Sequence, residues 1–566
     1  MARKIQPEYA VVGTGMLSSV VFFNPIFESS FFPKFLILTC GSLIALGVFL
    51  KTFGGTASKF KVIIYLPIAY LLIVIMSAVK NKQSLYELLV GTWGRYNALI
   101  TALCFFLLFI ISSLSTFSPY PKLIINALLL LGYVMACIGL FEYFGVTIAP
   151  GNSNDPLIKL TLGNSNYSSI FLVFTFIATF TTMIFFKQSN SIRFFSFISL
   201  IAQLFLIFHT QASQGYVTLF FSFFFLTGAW FLKSKNTLNN KIGFGFWVSI
   251  PLITVLTIYS ILSRNSFGNL LSASSLYDRF YAWQAALKMV KQNLFFGVGV
   301  DSYGLWFQSF RSAKSAESQL VSENFDNAHN IFLNNAATGG ILLFIVYLLL
   351  ICLIAYRAYL IIKEKTYDGY LMGLICIWLV YQLQSIVSID HITLNTWHWI
   401  VAGAIYSASF NRNTSQMFMI EAKNKIKKFT FVSVAVLITY LIYVFPTVST
   451  EYRINQLTYK KSFVLGSNEL KTASSDMLRL SLESRYPEIR IYSIYTLVKF
   501  EQLSDATKLA LDTTSKFPRS INSWEALAQI YEMSGDKKLA LESWQKASNL
   551  APFNQEFKAM IIKNSN

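Results

Sequence analysis

The sequence predicts an all-α protein that crosses a membrane many times, and three observations carry that reading. The first is composition: of 566 residues, 54% are hydrophobic and 16% aromatic, and only 13% are charged, which is far from soluble usage. The second is the recurrence, from residue 10 to about residue 447, of apolar windows of about 17–25 residues, each long enough as a helix to cross roughly 30 Å of hydrocarbon. The third is where the basic residues fall. If the N-terminal "MARK" is cytoplasmic, the inside segments hold nineteen Lys and Arg residues, from Arg3 and Lys4 through Lys51, Lys187, Lys233 and Arg357 to the Lys423–Lys428 run. The short outside loops hold five: Lys34, Lys80, Lys82, Arg95 and Lys159. Basic residues near span ends stay in the cytoplasm, so the bias fits thirteen spans, and one more or fewer reverses the sign of every later loop.

In chain order the windows are 10–28, 33–50, 61–78, 97–113, 121–144, 166–186, 194–209, 216–232, 242–262, 331–355, 368–388, 393–410 and 429–447. The first lacks a small-residue cleavage site and runs at once into the second, so it reads as a span and not as a removable signal. The formal net charge of +19 is therefore mostly topology, and nucleic-acid binding is not implied. All five cysteines (Cys40, Cys104, Cys137, Cys352, Cys376) fall inside windows, with neither a disulfide framework nor metal-ligand spacing. A transmembrane domain of residues 1–447 thus contains one long outside loop, 263–329. An odd span count puts the tail, 448–566, on the same face as that loop.

The tail reads as an α-solenoid. In "SINSWEALAQIYEMSGDKKLALESWQKASNLAPFN", residues Trp524, Leu527, Ala528, Tyr531, Gly535, Ala540, Trp544, Ala547 and Pro552 stand at the spacings of a tetratricopeptide repeat, two packed helices in 34 residues. Thirty-four residues earlier, Ala506 and Pro518 match Ala540 and Pro552, which marks a degenerate preceding copy. Isolated repeats rarely bury enough surface to stand alone, so residues 450–485 are expected to add helices or to dock on the loop. A structural cap and a docking surface for an acceptor or partner both fit this tail.

The loop carries the residues suited to chemistry. It contains "LYDRFYAWQAALKMVKQNLFFGVGVDSYG" and then "FDNAHNIFLNNAATGGILL", with Arg279, Trp283, Gly297, Gly299, Tyr303, His329 and Asn330 in order. No βαβ unit surrounds "GVGVDSYG", so it is not a dinucleotide fingerprint. In order and spacing these residues resemble the signature loop of the O-antigen ligase and polymerase superfamily: an Arg, a Trp four residues on, a glycine-rich turn ending in an aromatic, then His-Asn opening the next span. "GTWGRYNALIT" (91–101), with Arg95 at an outer edge, and "LGNSNYSSIFL" (162–172), with Asn164, resemble further family segments. One departure is "QASQGYVTL", where Gln214 stands in place of an arginine common in the family. The resemblance covers roughly residues 85–410.

That resemblance implies a GT-C-like, metal-independent glycosyltransferase of the bacterial cytoplasmic (inner) membrane. Its donor would be a glycan on undecaprenyl diphosphate, and its acceptor a hydroxyl on a surface lipid, polymer or protein. The residue chemistry suits the task. Diphosphate is a good leaving group, so the reaction needs stabilisation of growing negative charge and a group to take the hydroxyl proton. Arginine binds phosphate oxygens bidentately and stays charged in a poor dielectric, which assigns Arg95 and Arg279 to the diphosphate. No Asp-x-Asp or comparable carboxylate cluster lies there to hold Mg²⁺, and no cofactor is expected. Imidazole exchanges protons near neutral pH, which assigns His329 as base. Asn327 and Asn330 can serve as helix caps, leaving the histidine free of that duty.

Rivals for proton transfer are His209, His391 and His398, all near outer span ends, where belts of interfacial residues are common. Asn164, Gln214, Tyr303, Asn330 and His391 are candidate site-lining residues, although Tyr303 and Trp283 suit packing better. Glu142 is expected to snorkel, and a carboxylate at Asp390 would be costly to bury. A ligase, a polymerase of the same superfamily that elongates lipid-linked repeat units, and a transporter remain the competing readings. Transport ranks last because the ionisable residues gather at one face rather than as paired midplane charges. The tail leans toward a ligase, since such repeats hold peptides or proteins.

Overall fold

The computed structural model describes residues 6–52 apart from 24, 25 and 28, then 61–115, 119–146, 148, 157–263 apart from 235, 275–317, 325–363, 367–410, 444, 446–458 and 467–565. Its regular elements among these residues are helices: α1 (Pro7–Val20), α2 (Phe31–Thr52), α3 (Lys61–Lys80), α4 (Leu85–Leu89), α5 (Leu99–Ser113), α6 (Tyr120–Tyr143), α7 (Ser165–Phe185), α8 (Asn190–His209), α9 (Ser213–Leu232) and α10 (Thr237–Ser263). The loop region adds α11 (Ser275–Gln292), α12 (Tyr303–Phe310) and α13 (Ala313–Glu317), followed by α14 (Ile331–Lys363), α15 (Gly369–Ser385) and α16 (Ile392–Ala408). Among the described residues seven helices are long and apolar enough to cross a membrane: α2, α3, α6, α7, α8, α9 and α14. The chain is a multi-pass membrane protein.

Two of the windows read from the sequence need comment. Helix α1 ends at Val20 rather than near residue 28, and its 14 residues at about 1.5 Å each fall short of a full crossing. The chain leaves the helix because the Lys34 ammonium takes the Val21 carbonyl at 2.7 Å and the Phe23 amide closes onto Ser29 at 2.9 Å. The window 429–447 lies almost wholly outside the described residues.

Helices α7 and α16 form the buried centre. Ile170 to Phe174 and Leu394 to Ile405 are hidden from solvent almost without interruption. Such helices can be apolar all round because neighbours cover every face. The hydroxyls on α7 return to their own helix, Thr175 to Leu172, Thr179 to Thr175 and Thr182 to Ala178, at 2.8–3.0 Å.

The glycine-rich turn has a backbone task. Helix α14 breaks at Gly340 (φ 80°, ψ 178°), which frees carbonyls of the preceding turn. Val298 and Gly299 amides donate to the Ala337 and Thr338 carbonyls at 2.9 and 3.0 Å, and Ile341 donates to Leu294 at 2.7 Å. From the other side, Ser77 donates to the Phe296 carbonyl at 2.6 Å and Asn81 to Gly297 at 3.2 Å. Gln83 grips the Val300 carbonyl at 2.9 Å and receives the Val300 amide at 3.1 Å. Residues 296–302 are thus a strap between the end of α3 and the break in α14. Gly297 is required by this contact: its φ is +60°, and a Cβ there would lie 2.4 Å from the Thr338 carbonyl group.

The tail folds as α17 (Asn468–Glu483), α18 (Pro487–Lys499), α19 (Leu503–Lys516), α20 (Ile521–Met533), α21 (Lys537–Leu550) and α22 (Gln555–Ser565). Pro487 and Ile521, which open successive helix pairs, stand 34 positions apart, as do Leu503 and Lys537. The matching alanines Ala506 and Ala540 are both fully buried between helices. Arg490 ties the first pair together by donating to Asp512 at 2.5 Å, Ser484 at 2.8 Å and Leu482 at 2.6 Å. The tail is seated on the loop region and on α4. Arg519 stacks 3.3 Å over the Trp306 ring, Ser309 donates to the Leu550 carbonyl at 2.8 Å, and Tyr486 meets Tyr86 edge to face at 5.4 Å.

Replacing Gly297 by Ala should lower stability by about 1–3 kcal/mol, because it forces a side chain into a left-handed, backbone-lined slot. Thermal unfolding of the detergent-solubilised protein reads this directly; an unchanged melting temperature would show that the strap does not hold α14.

Candidate functional site

The segments that the charge pattern assigned to one face do meet at one end of the bundle. Arg95 lies in the turn between α4 and α5, a stretch bent by left-handed Gly91, Gly94 and Tyr96. Its guanidinium donates through Nε to Asp326 at 2.7 Å, pairs with the same carboxylate through Nη2, and donates through Nη1 to the Tyr167 hydroxyl at 3.2 Å. The Phe31 ring lies 5.6 Å beneath it. Asp326 is 48% exposed and Arg95 20%, so the pair opens to solvent on the carboxylate side.

His329 follows three residues after Asp326 in a left-handed backbone conformation, φ 49°, with its amide held by the Asn327 side chain at 3.2 Å. Few non-glycine residues adopt that conformation, and it persists where the surroundings fix it. Asn330 caps α14 by accepting from the Leu333 amide at 3.0 Å, so the asparagines do the capping and the imidazole is left to the pocket. Phe325 packs edge-on to the imidazole at 5.4 Å. Burial, with the positive charges of Arg279 and Arg95, pushes the His329 imidazole down to about 4 against the opposing pull of Asp326. The neutral ring at pH 7 can accept a proton. Arg279, 9% exposed in the first turns of α11, thus lies within electrostatic reach of His329, as does Arg95.

The other candidates separate into neighbours and bystanders. His391 caps α16 by accepting from the Thr393 amide at 3.2 Å and is buried between Phe31 (4.9 Å) and Tyr167 (4.6 Å), where it backs the Arg95 partner. Gln214 donates to the Asn166 carbonyl at 2.8 Å, and Asn164 caps α7 through the Asn166 amide, so both shape the turn that presents Tyr167. Tyr303 is buried and donates to the Ala282 carbonyl at 2.6 Å within the loop's own core. His209 bonds the Phe205 carbonyl at 2.8 Å and packs on Tyr143, and His398 stacks on Tyr381 inside the bundle. Glu142 does not snorkel; it turns back to accept from the Lys159 and Leu160 amides at 2.9 Å.

A small cleft of about 30 Å³ is lined by Tyr70, Asn97, Asn335, Tyr347, Asp390 and Asn395, among others. Asp390 accepts from Tyr381 at 2.7 Å and from Asn97 at 3.4 Å, and burial pushes its carboxyl up to about 6. Among the described residues no group of three or more His, Cys, Asp or Glu side chains could hold a metal ion. Sequence reasoning missed Asp326 and Tyr167 as partners of Arg95. Asp326 stands inside the quoted "FDNAHN" segment, and its spacing from His329 was the available signal.

Residues 157–348 match the family model described as O-antigen ligase. This segment, about a third of the chain, is similar to the O-antigen ligase family. No curated protein matches the chain. The matched segment contains Tyr167, Gln214, Arg279, the strap, Asp326 and His329, while Arg95, Asp390 and His391 come from outside it. The site built on the matched segment is therefore completed by the turn before α5 and by the start of α16.

The His329 imidazole should remain uncharged on acidification until about pH 4, because both burial and guanidinium charge favour the neutral form. Histidine nitrogen NMR of the ligand-free protein, assigned with a His329→Gln variant, reads the midpoint; titration near 6.5 would mean that the ring is neither buried nor beside the two arginines.

Proposed function

We propose that this chain is a membrane glycosyltransferase of the O-antigen ligase type, moving a glycan from undecaprenyl diphosphate to an acceptor hydroxyl at the outer face of the cytoplasmic membrane. The reading is carried by one observation: two guanidiniums and a neutral imidazole converge at one end of a membrane bundle, beside a half-exposed carboxylate that occupies one guanidinium fork. Asp326 holds the place of an anion. Phosphate oxygens have the geometry to replace it bidentately, and its exposure lets it swing to water. In the reaction the acceptor oxygen bonds to the anomeric carbon as the bond from that carbon to the diphosphate breaks. The hydroxyl proton passes to His329, and the departing negative charge rests on Arg95 and Arg279.

Donor binding would also tune the base. Burial depresses His329 most and the two guanidinium charges add to it, so a diphosphate that neutralises those charges raises the basicity of the imidazole. The 34-residue period of the tail, its buried alanines and its seat on α12 support a tetratricopeptide-like module beside the pocket. An acceptor held there would be presented to His329, which favours transfer to a protein or polymer over elongation of a lipid-linked repeat.

In a purified assay with lipid-linked donor, His329→Ala should keep the helical fold and abolish transfer; undiminished transfer removes the histidine from the mechanism. Arg279→Ala should weaken donor binding by about tenfold or more, with Arg279→Lys in between, since lysine keeps charge but loses the planar fork. Equal losses would argue against a bidentate phosphate contact.

A further inference from the structure

The strap contains one half-buried acidic residue to which the mechanism assigns no task. Asp301, left-handed at φ 55°, extends its carboxylate into the turn that carries Arg95. Its Oδ2 accepts from the Thr92 amide at 2.8 Å, the Thr92 hydroxyl at 3.0 Å and the Asn97 amide at 3.3 Å. Those donors bracket Arg95 on both sides. The same oxygen occupies the space a side chain at position 91 would need, 2.3 Å from a Cβ built on Gly91, whose φ of +95° suits glycine. One carboxylate oxygen thus fixes both ends of a bend from Thr92 to Asn97. The residue next to it, Ser302, is bound to Gln83 at 2.8 Å, so the carboxylate is anchored in turn.

We infer that Asp301 is a positioning residue for the donor: it locks the Arg95 turn to the strap, and so sets that guanidinium at a fixed place relative to Arg279 and His329. This rests on the donor reading given above. Arg95 belongs to a stretch more than 180 residues before Arg279 in sequence, and the two guanidiniums can address one diphosphate only if their carriers are joined. The strap supplies the join. It leaves α11 through Leu294, meets the break in α14 that His329 precedes, and ends on the Arg95 turn through Asp301. A bidentate phosphate contact tolerates little displacement, since misplacement of about 1 Å can cost a hundredfold in rate. Asp301 reaches the amides of both Thr92 and Asn97.

A purely structural carboxylate would lower stability without regard to Arg95, and a double-mutant cycle separates the two cases. The probe is undecaprenyl diphosphate titrated into the full chain in nanodiscs. Asp301→Ala should weaken binding about tenfold when Arg95 is present and less than about twofold in the Arg95→Ala background. Asp301→Asn keeps one acceptor oxygen and should fall between, and Thr92→Val, which removes one of three donors while preserving shape, should shift binding in the same direction. These milder variants decide the matter if Asp301→Ala does not fold. Equal losses with and without Arg95 would overturn the inference. Hydrogen exchange in the ligand-free protein provides an arm that does not depend on the donor: Asp301→Ala should expose the amides of residues 92–97 and leave the core of α7 protected. Unchanged exchange at Thr92 and Asn97 would overturn the positioning role, whereas absent binding of undecaprenyl diphosphate to the unmodified protein, with exchange altered as expected, would strike the donor reading alone.

Discussion

A long cationic side chain at a water–lipid boundary has many rotamers and a mobile medium on both sides, so its aim is decided by the backbone beneath it. Here that backbone is tied by a short strap, residues 296–302, whose amides complete the broken helix α14 and whose other edge is held by Ser77, Asn81 and Gln83. The tie joins a turn before α5, a helix of the long loop and the helix that opens after His329. Without it the three would be independent loops. With it, Arg95 and Arg279 both bear on one imidazole.

The cost of this arrangement is visible in the backbone. Tyr96, Asp301 and His329 all have positive φ without being glycine, a conformation that persists only where surrounding contacts over-determine it. Their surroundings do so: the Asn327 side chain holds the His329 amide, and the bend around Tyr96 is closed from Thr92 to Asn97. The charge balance is equally local. Asp326 answers the charge of Arg95 directly, next to a neutral histidine.

Much of this was legible in the sequence, and the reasons for what was not are physical. Apolar runs report helices because hydrocarbon leaves the backbone no other partners, and basic residues at span ends report which loops share a face. Arg95, Arg279 and His329 could be named because their segments resemble a family signature and their side chains suit phosphate binding and proton transfer. Pairing partners were not legible. Tyr167 and Asp326 lie 72 and 231 positions from Arg95, and nothing in local periodicity joins them. The glycine-rich turn could be marked as a turn, but its hydrogen bonds to a helix break depend on Gly340, which reads from sequence as an ordinary glycine in an apolar run. Gln214 and Asn164 stood out by position yet serve the backbone of α7. Residues 85–88 and 486 meet through tyrosines, a contact that sequence placed only as far as a shared face.

The most direct measurement is a structure of the full chain with undecaprenyl diphosphate bound in a lipid bilayer mimic. The account predicts diphosphate oxygens within hydrogen-bond distance of both Arg95 and Arg279, Asp326 released from Arg95, and the His329 ring facing the side where the sugar would be attached. Diphosphate bound elsewhere, or held by one arginine while Asp326 stays on the other with no space between them and the imidazole, would contradict it.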